Sequence, residues 1–309
     1  GANQNGRTPR LEVALYEFGN DGLSGEQNYV RKVVGFTTEL DSVSEALFAL
    51  RTNGGSEFCG AAIDASLKDL EWSKRPGDLN LIFIAGNEPF TQGPISFQKV
   101  CGEARQRGIA INTIYCGGPS DPDAAGWAQG AALAEGRYLT LDQNQQVAHI
   151  QAPQDQELAN LSLKLNESYI PYGASGQQSY ARQQAQDANA AGASSEVAAY
   201  RASVKSSKQY NNSSWDLVDA AKDEAVDLGS LSDDQLPEEM KGMSAGERKA
   251  YVAGKQKERE EVQARIQKLT EERENYVANK RAESGQETLD TVVLGAVREQ
   301  AQKKGYTFK

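Results

Sequence analysis

Over the first 142 residues, apolar positions fall in short runs that switch between strand and helix periods. Residues 11–18 (LEVALYEF) and 29–37 (YVRKVVGFT) are rich in β-branched and aromatic side chains. Gly19-Asn20-Asp21-Gly22 between them is turn chemistry, so this stretch predicts a hairpin. Residues 41–50 read as a short helix broken by Thr52-Asn53-Gly54-Gly55. Residues 59–70 place Ile63, Leu67 and Leu70 on one helical face. Residues 79–85 (LNLIFIA) form an apolar run of strand length, as expected of a central parallel strand buried on both faces. A helix over 97–107 stopped by Gly108, a strand over 109–116 (IAINTIYC), a helix over 121–134 and a strand over 136–141 complete the pattern. The β-α-β-α-β order predicts an α/β fold: a doubly wound, mostly parallel sheet with one antiparallel edge strand.

Beyond residue 142 the period is helical. Leu158, Leu161, Leu165 and Tyr169 share one face of a helix over 155–169, so residues 143–173 read as an amphipathic connector. Pro171-Tyr172-Gly173 is the strong breaker between the halves. Residues 177–209 have high helix propensity and a narrow stripe of Val197, Tyr200 and Val204. Trp215, Leu217 and Val218 make a small apolar anchor, and residues 233–237 mark a turn. Ser244-x-x-Glu247 is a capping box opening a charged helix to about residue 282. Its stripe of Val262, Ile266, Leu269, Tyr276 and Val277 is interrupted by Arg273, short of the clean heptads of a coiled coil. Ser284-x-x-Glu287 opens a last helix with Leu289, Val292, Val293, Ala296 and Val297 on one face. The expected organisation is therefore a domain over 1–142, a connector over 143–173 and a helical region over 174–309. A helical hairpin and a coiled-coil-like arm are both allowed there, and either permits oligomerisation.

Composition narrows the function. A length of 309 residues suits two, loosely three, domains. The net charge of −10 opposes sequence-independent binding to nucleic acid, which needs cations to replace phosphate counterions. No apolar run reaches the roughly 18 residues of a membrane span, and no signal-peptide pattern is present. Cys59, Cys101 and Cys116 make neither a disulfide framework nor a zinc motif, and are expected as buried thiols. The lone histidine, His149, has no Cys, Asp or Glu beside it; this removes most nucleophile–base pairs and argues against an enzyme. Gly117-Gly118 follows a strand but lacks any phosphate-loop pattern.

Taken in order, four segments resemble a von Willebrand factor type A (VWA) domain of the bacterial VWA-containing proteins: the opening hairpin (LEVALYEFGNDG), the Gly-rich loop into a helix (TNGGSEFCGAAIDASL), the buried strand with its loop (LIFIAGNEPF) and the late strand (GIAINTIYCGG). The resemblance covers about residues 5–142. It implies a non-enzymatic protein-binding or adhesion module, and a divalent cation such as Mg²⁺ held by three loops. The Asp-x-Ser-x-Ser loop and the strand before it are missing, so the chain reads as truncated at its N-terminus, its first residues falling inside the first helix. The Thr position of the second loop falls on Glu57. The Asp position of the third falls on Gly86, leaving Asn87 or Glu88 to supply oxygen. Ser56, Asn20 and Asp21 complete the binding candidates. The resemblance also implies a protein partner and a periplasmic or cell-envelope location.

The physical logic of the rim is independent of metal. Ligands of open α/β sheets bind beyond the carboxyl ends of the strands, where this sequence collects Asn20, Asp21, Glu57, Asn87, Glu88, Asp121 and Asp123. Each has a plainer role: Glu57 as a carboxylate at a helix N-terminus, Asn20 and Asp21 as turn formers, Asn87 and Glu88 as loop residues ahead of Pro89. Two alternatives to the binding module stand beside it. One is a metal-independent helical scaffold with a degenerate VWA domain. The other is an enzyme of doubly wound fold, which would need a rim nucleophile with a neighbouring base.

Overall fold

The computed structural model describes residues 2–51, 53–141, 150–284 and 289–308. In chain order the strands are β1 (Ala2–Asn3), β2 (Val13–Phe18), β3 (Val30–Thr37), β4 (Asn80–Gly86), β5 (Ile109–Tyr115), β6 (Tyr138–Thr140) and β7 (Thr307–Phe308). The helices are α1 (Leu40–Ala49), α2 (Cys59–Asp69), α3 (Phe97–Gln106), α4 (Ala124–Leu133), α5 (Asp155–Asn166), α6 (Gly176–Ala193), α7 (Ser195–Ser206), α8 (Leu217–Lys222), α9 (Ala245–Ser284) and α10 (Leu289–Lys303). The described residues of 2–37, 49–141 and 289–308 form one compact unit; those of 38–48 and 150–284 form another.

The first unit contains a parallel sheet in the order β4-β5-β6 and a separate antiparallel hairpin, β2-β3. Register in the parallel sheet sets Ile82 beside Ile111 and Ile84 beside Thr113 on one face. That face packs on α2, α3 and α4 through Ile63, Leu67, Phe97, Val100, Cys101, Ala104 and Trp127. Leu81, Phe83 and Ala85 lie on the other face, in register with Ala110, Asn112 and Ile114. There α10 covers β5: Gln300 and Asn112 exchange side-chain amide hydrogen bonds at 2.8 and 3.2 Å, both residues buried. Antiparallel pairing of β1 with β7 lies in the same unit.

Several expectations are revised here. The hairpin does not join the parallel sheet as an antiparallel edge; the two are distinct sheets. The apolar run over β4 is buried on one face only, and Phe83 on the other is 40% exposed. Cys59 and Cys101 are buried thiols, whereas Cys116 is partly exposed. Residues 2–3 are not helical; they pair with residues 307–308. The last helix, expected in the C-terminal helical region, belongs to the first unit. Thr52, His149 and the Glu287 end of the last capping box lie outside the described residues.

The second unit is helical. Helix α5 was expected to connect the halves, but its Leu158 and Leu165 are core, packed with Ala199, Ala202, Trp215, Val262, Ile266 and Leu269. The long helix α9 opens with the predicted box: Ser244 N donates to Glu247 Oε2 at 2.8 Å and Glu247 N to Ser244 Oγ at 3.3 Å. It is no free arm, since it packs along α5, α7 and α8. Arg273, the apparent flaw in its stripe, is buried and donates through Nε to Asp155 Oδ1 at 2.6 Å. Arg259, 4% exposed, donates to both Asp216 oxygens, to Asp219 and to Ser168, and stacks 4.0 Å above the Tyr169 ring. Asp216 also caps α8 through Asp219 N and accepts from Ile170 N at 2.7 Å. No helix among the described residues is long and apolar enough to cross a membrane.

Two predictions follow from these buried ions. Arg259→Met leaves the fully buried Asp216 carboxylate uncompensated and is expected to cost about 3–5 kcal/mol, partly recovered by Asp216→Asn on the same background; denaturant unfolding of the four variants checks this. Lys205 is fully buried and donates to Asp187, Asn166 and Ser162. Burial nevertheless lowers its ammonium pKa from 10.5 to about 8, against the opposing pull of Asp187. The unfolded chain therefore binds more protons between those values, so this lysine's contribution to stability rises with pH across that window. Unfolding free energy measured at pH 8 and 9.5 is expected to rise in the wild type relative to Lys205→Met.

Candidate functional site

Four connections gather at the carboxyl ends of the parallel strands and the hairpin. The segment before α2 crosses them: Ser56 forms an isolated bridge with Gly19 just past β2. This brings Glu57 between the ends of β2 and β4. A Cβ at Gly19 would lie 2.6 Å from Glu57 Cγ, and one at Gly86 would collide with Glu57 Oε2. Gly19 also has φ +84°, a conformation that favours glycine. Glycine at both strand ends is thus what admits the carboxylate. Glu57 Oε2 then accepts from Asn87 N at 3.0 Å and Glu88 N at 3.3 Å, fixing the loop after β4.

The neighbouring candidates are drawn in to different degrees. Asp21 N donates to Asn53 O at 2.9 Å, and the Asp21 carboxylate packs against Gly54. Glu88 approaches the same loop, its Oε1 lying 3.5 Å from where a Cβ on Gly55 would sit. Asn20 takes the plainer role. Its Oδ1 accepts from Gly22 N at 2.8 Å, and its Nδ2 donates to Glu17 Oε1 at 2.8 Å. Asn87 contributes its backbone N–H to Glu57, and its side chain is exposed. Beyond β5, Asp121 Oδ2 accepts from Gly118 N at 2.8 Å and Tyr115 OH at 3.2 Å. Burial, then the Asp121 carboxylate, push Tyr115 up to about 12.

Sequence reasoning missed Trp127. It is fully buried under the rim and donates from Nε1 to Glu88 O at 2.9 Å, holding the loop from below. The available signal was a single large aromatic in an otherwise Ala- and Gly-rich helix.

A divalent cation here would draw on the oxygens of the rim. Such ions want several oxygens converging on one point. Among the described residues, no three His, Cys, Asp or Glu side chains are so placed. The Glu57 oxygen facing β4 is already engaged by two backbone N–H groups.

No family model, curated protein or solved structure matches this chain. The rim is therefore read from its own chemistry. Asp21, Glu57, Glu88 and Asp121 all sit there, and among the described residues none is in an ion pair. Burial raises the pKa of all three thiols, Cys101 to about 12 and Cys59 well above its ordinary value. None is a thiolate at neutral pH.

Gly86→Ala is expected to destabilise the chain by about 1–3 kcal/mol, because its methyl must displace a carboxylate pinned by two hydrogen bonds. On a Glu57→Ala background the same substitution is expected to cost much less. A double-mutant cycle from denaturant unfolding reads this coupling; equal costs on both backgrounds contradict it.

Proposed function

We propose that this chain is a non-enzymatic protein-binding module of VWA-like, doubly wound type, whose contact surface is the carboxyl-end rim of the first unit. The observation that carries this reading is the set of four carboxylates on one rim, held by backbone contacts and left without cations. Fixed, unpaired charge costs little to present and steers a complementary partner. The raised thiol pKa values argue against cysteine catalysis, and among the described residues no rim nucleophile has a basic neighbour. In this reading contact needs no bridging cation, since Glu57 serves to hold the loop after β4. The second unit then acts as the rigid helical body that carries the module.

The test is site-specific photo-crosslinking in cells of the encoding organism, with the photoreactive residue at position 88, or at the α9 surface position 257 as control. A discrete crosslink to another protein is expected from position 88, absent from position 257 and retained in EDTA. Equal labelling at both positions contradicts the rim reading; loss in EDTA contradicts the cation-free contact.

A further inference from the structure

The second unit carries an open groove between two of its helices. Helix α5 turns Leu158 and Leu165 into the core. Leu163 is left on its outer side, 62% exposed and the barest large apolar side chain among the described residues. Helix α6 sets Tyr180, Ala188 and Ala191 beside it, at i, i+8 and i+11 on one helical face. The two alanines leave room where larger side chains would close the gap, and a cavity of about 350 Å³ opens between the helices. The floor is occupied by bonds of its own. Asn166 Nδ2 donates to Asp187 Oδ2 at 2.7 Å, and buried Lys205 donates to the oxygens of both, at 2.6 and 2.7 Å. Arg201 takes the other Asp187 oxygen at 2.8 Å. The lip is different. Exposed Glu167 closes the C-terminal end of α5, where the helix dipole disfavours a carboxylate. Among the described residues it is in no ion pair. Lys255, whose ammonium feels this carboxylate, pairs instead with Glu258 at 3.0 Å. Lys164, in the same turn, does not line the groove.

We propose that this groove seats an amphipathic helix of a partner protein, with a large apolar side chain against Leu163, Ala188 and Ala191 and a Lys or Arg against Glu167. The walls decide the shape of the occupant. Both are helices, whose backbone groups are engaged within themselves. An extended segment finds no edge to pair with here, and its own N–H and C=O groups facing the groove go without partners. A helix brings its backbone already paired and meets the groove through side chains alone. The floor decides the anchor: its polar groups are engaged with one another, so apolar contact is what the groove offers. The lip decides the charge, since an unpaired carboxylate and the negative end of α5 both favour a cation. Leu163 and Glu167 are one turn apart on α5. A helix lying along the groove therefore matches them with an apolar and a basic residue three or four positions apart. This groove lies wholly in the second unit and owes nothing to the rim.

The test uses three capped, fluorescent peptides and the full chain, with affinity read by anisotropy. The first, AAKLAAKLLAKLAA, carries this spacing on a helix. The second is AAKLAPKLLPKLAA, whose prolines break the helix. The third has glutamate in place of each lysine. The first peptide is expected to saturate, and the other two to bind at least about tenfold more weakly. Ala188→Leu fills the groove, and Ala188 is exposed, so the fold has room for the larger side chain. This variant is expected to weaken the first peptide at least about tenfold. Glu167→Gln is expected to weaken it about threefold or more, whereas Glu261→Gln, at an exposed position of α9, leaves it unchanged. Absence of saturable binding, or binding indifferent to Ala188→Leu, overturns the groove. Equal binding of the proline peptide overturns the helix in favour of an extended segment. Equal weakening by Glu167→Gln and Glu261→Gln overturns the lip as the seat of the cation. A chain that sediments as a dimer, and as a monomer once Ala188→Leu is introduced, overturns the partner in favour of a second copy.

Discussion

At the carboxyl ends of its strands, the first unit is tied together by one carboxylate. No strand in the described residues ties the hairpin to the parallel sheet. At their carboxyl ends the tie is Glu57, seated between two glycines and accepting two backbone N–H groups from the loop after β4. A charge-assisted bond of this kind is about twice as strong as a neutral one. It also explains why the glycines stand where they do, since a side chain at either position would occupy its place. The acidic rim is the consequence: once Glu57 is fixed, Glu88 and Asp21 are carried by loops that it and its neighbours anchor.

The second unit solves a different problem. Helix α9 is strongly charged and carries only a thin apolar stripe, too little to hold 40 residues by burial alone. Its buried arginines supply the remainder. Arg248 donates to the carbonyls of Leu228 and Leu231 and to Asp233; Arg259 engages Asp216, Asp219 and Ser168; Arg273 engages Asp155. Each reaches a different segment, so the helix is located by specific pairings as much as by area. Such pairings are weak as net stabilisers but costly to break on one side.

Local structure was legible in the sequence to the extent that it depended on period and turn chemistry. The hairpin, β4, β5 and the helices over 59–69, 97–106 and 245–284 lie close to where their patterns put them, because apolar spacing and caps act within a few residues. Pairing between distant segments was not legible. Nothing in the run LNLIFIA distinguishes a strand covered on both faces from one left bare on one, since coverage is decided by distant segments. Arg273 looked like an interruption because its partner, Asp155, is 118 residues distant. On the rim, Glu57, Asn87 and Glu88 were found because strand ends are a general place for ligands. The role of Glu57 as a loop anchor was hidden, because it depends on two backbone N–H groups that no side-chain pattern records.

The most direct test of this account is residue-resolved native-state hydrogen exchange of the wild type and Glu57→Ala. The account predicts faster exchange in the variant at Asn87 and Glu88, whose N–H groups lose their acceptor, and also at Gly19 and Asp21 across the gap, with α9 unchanged. Exchange that stays the same at all four, or that changes at Asn87 and Glu88 alone, would contradict the claim that this carboxylate ties the hairpin to the sheet.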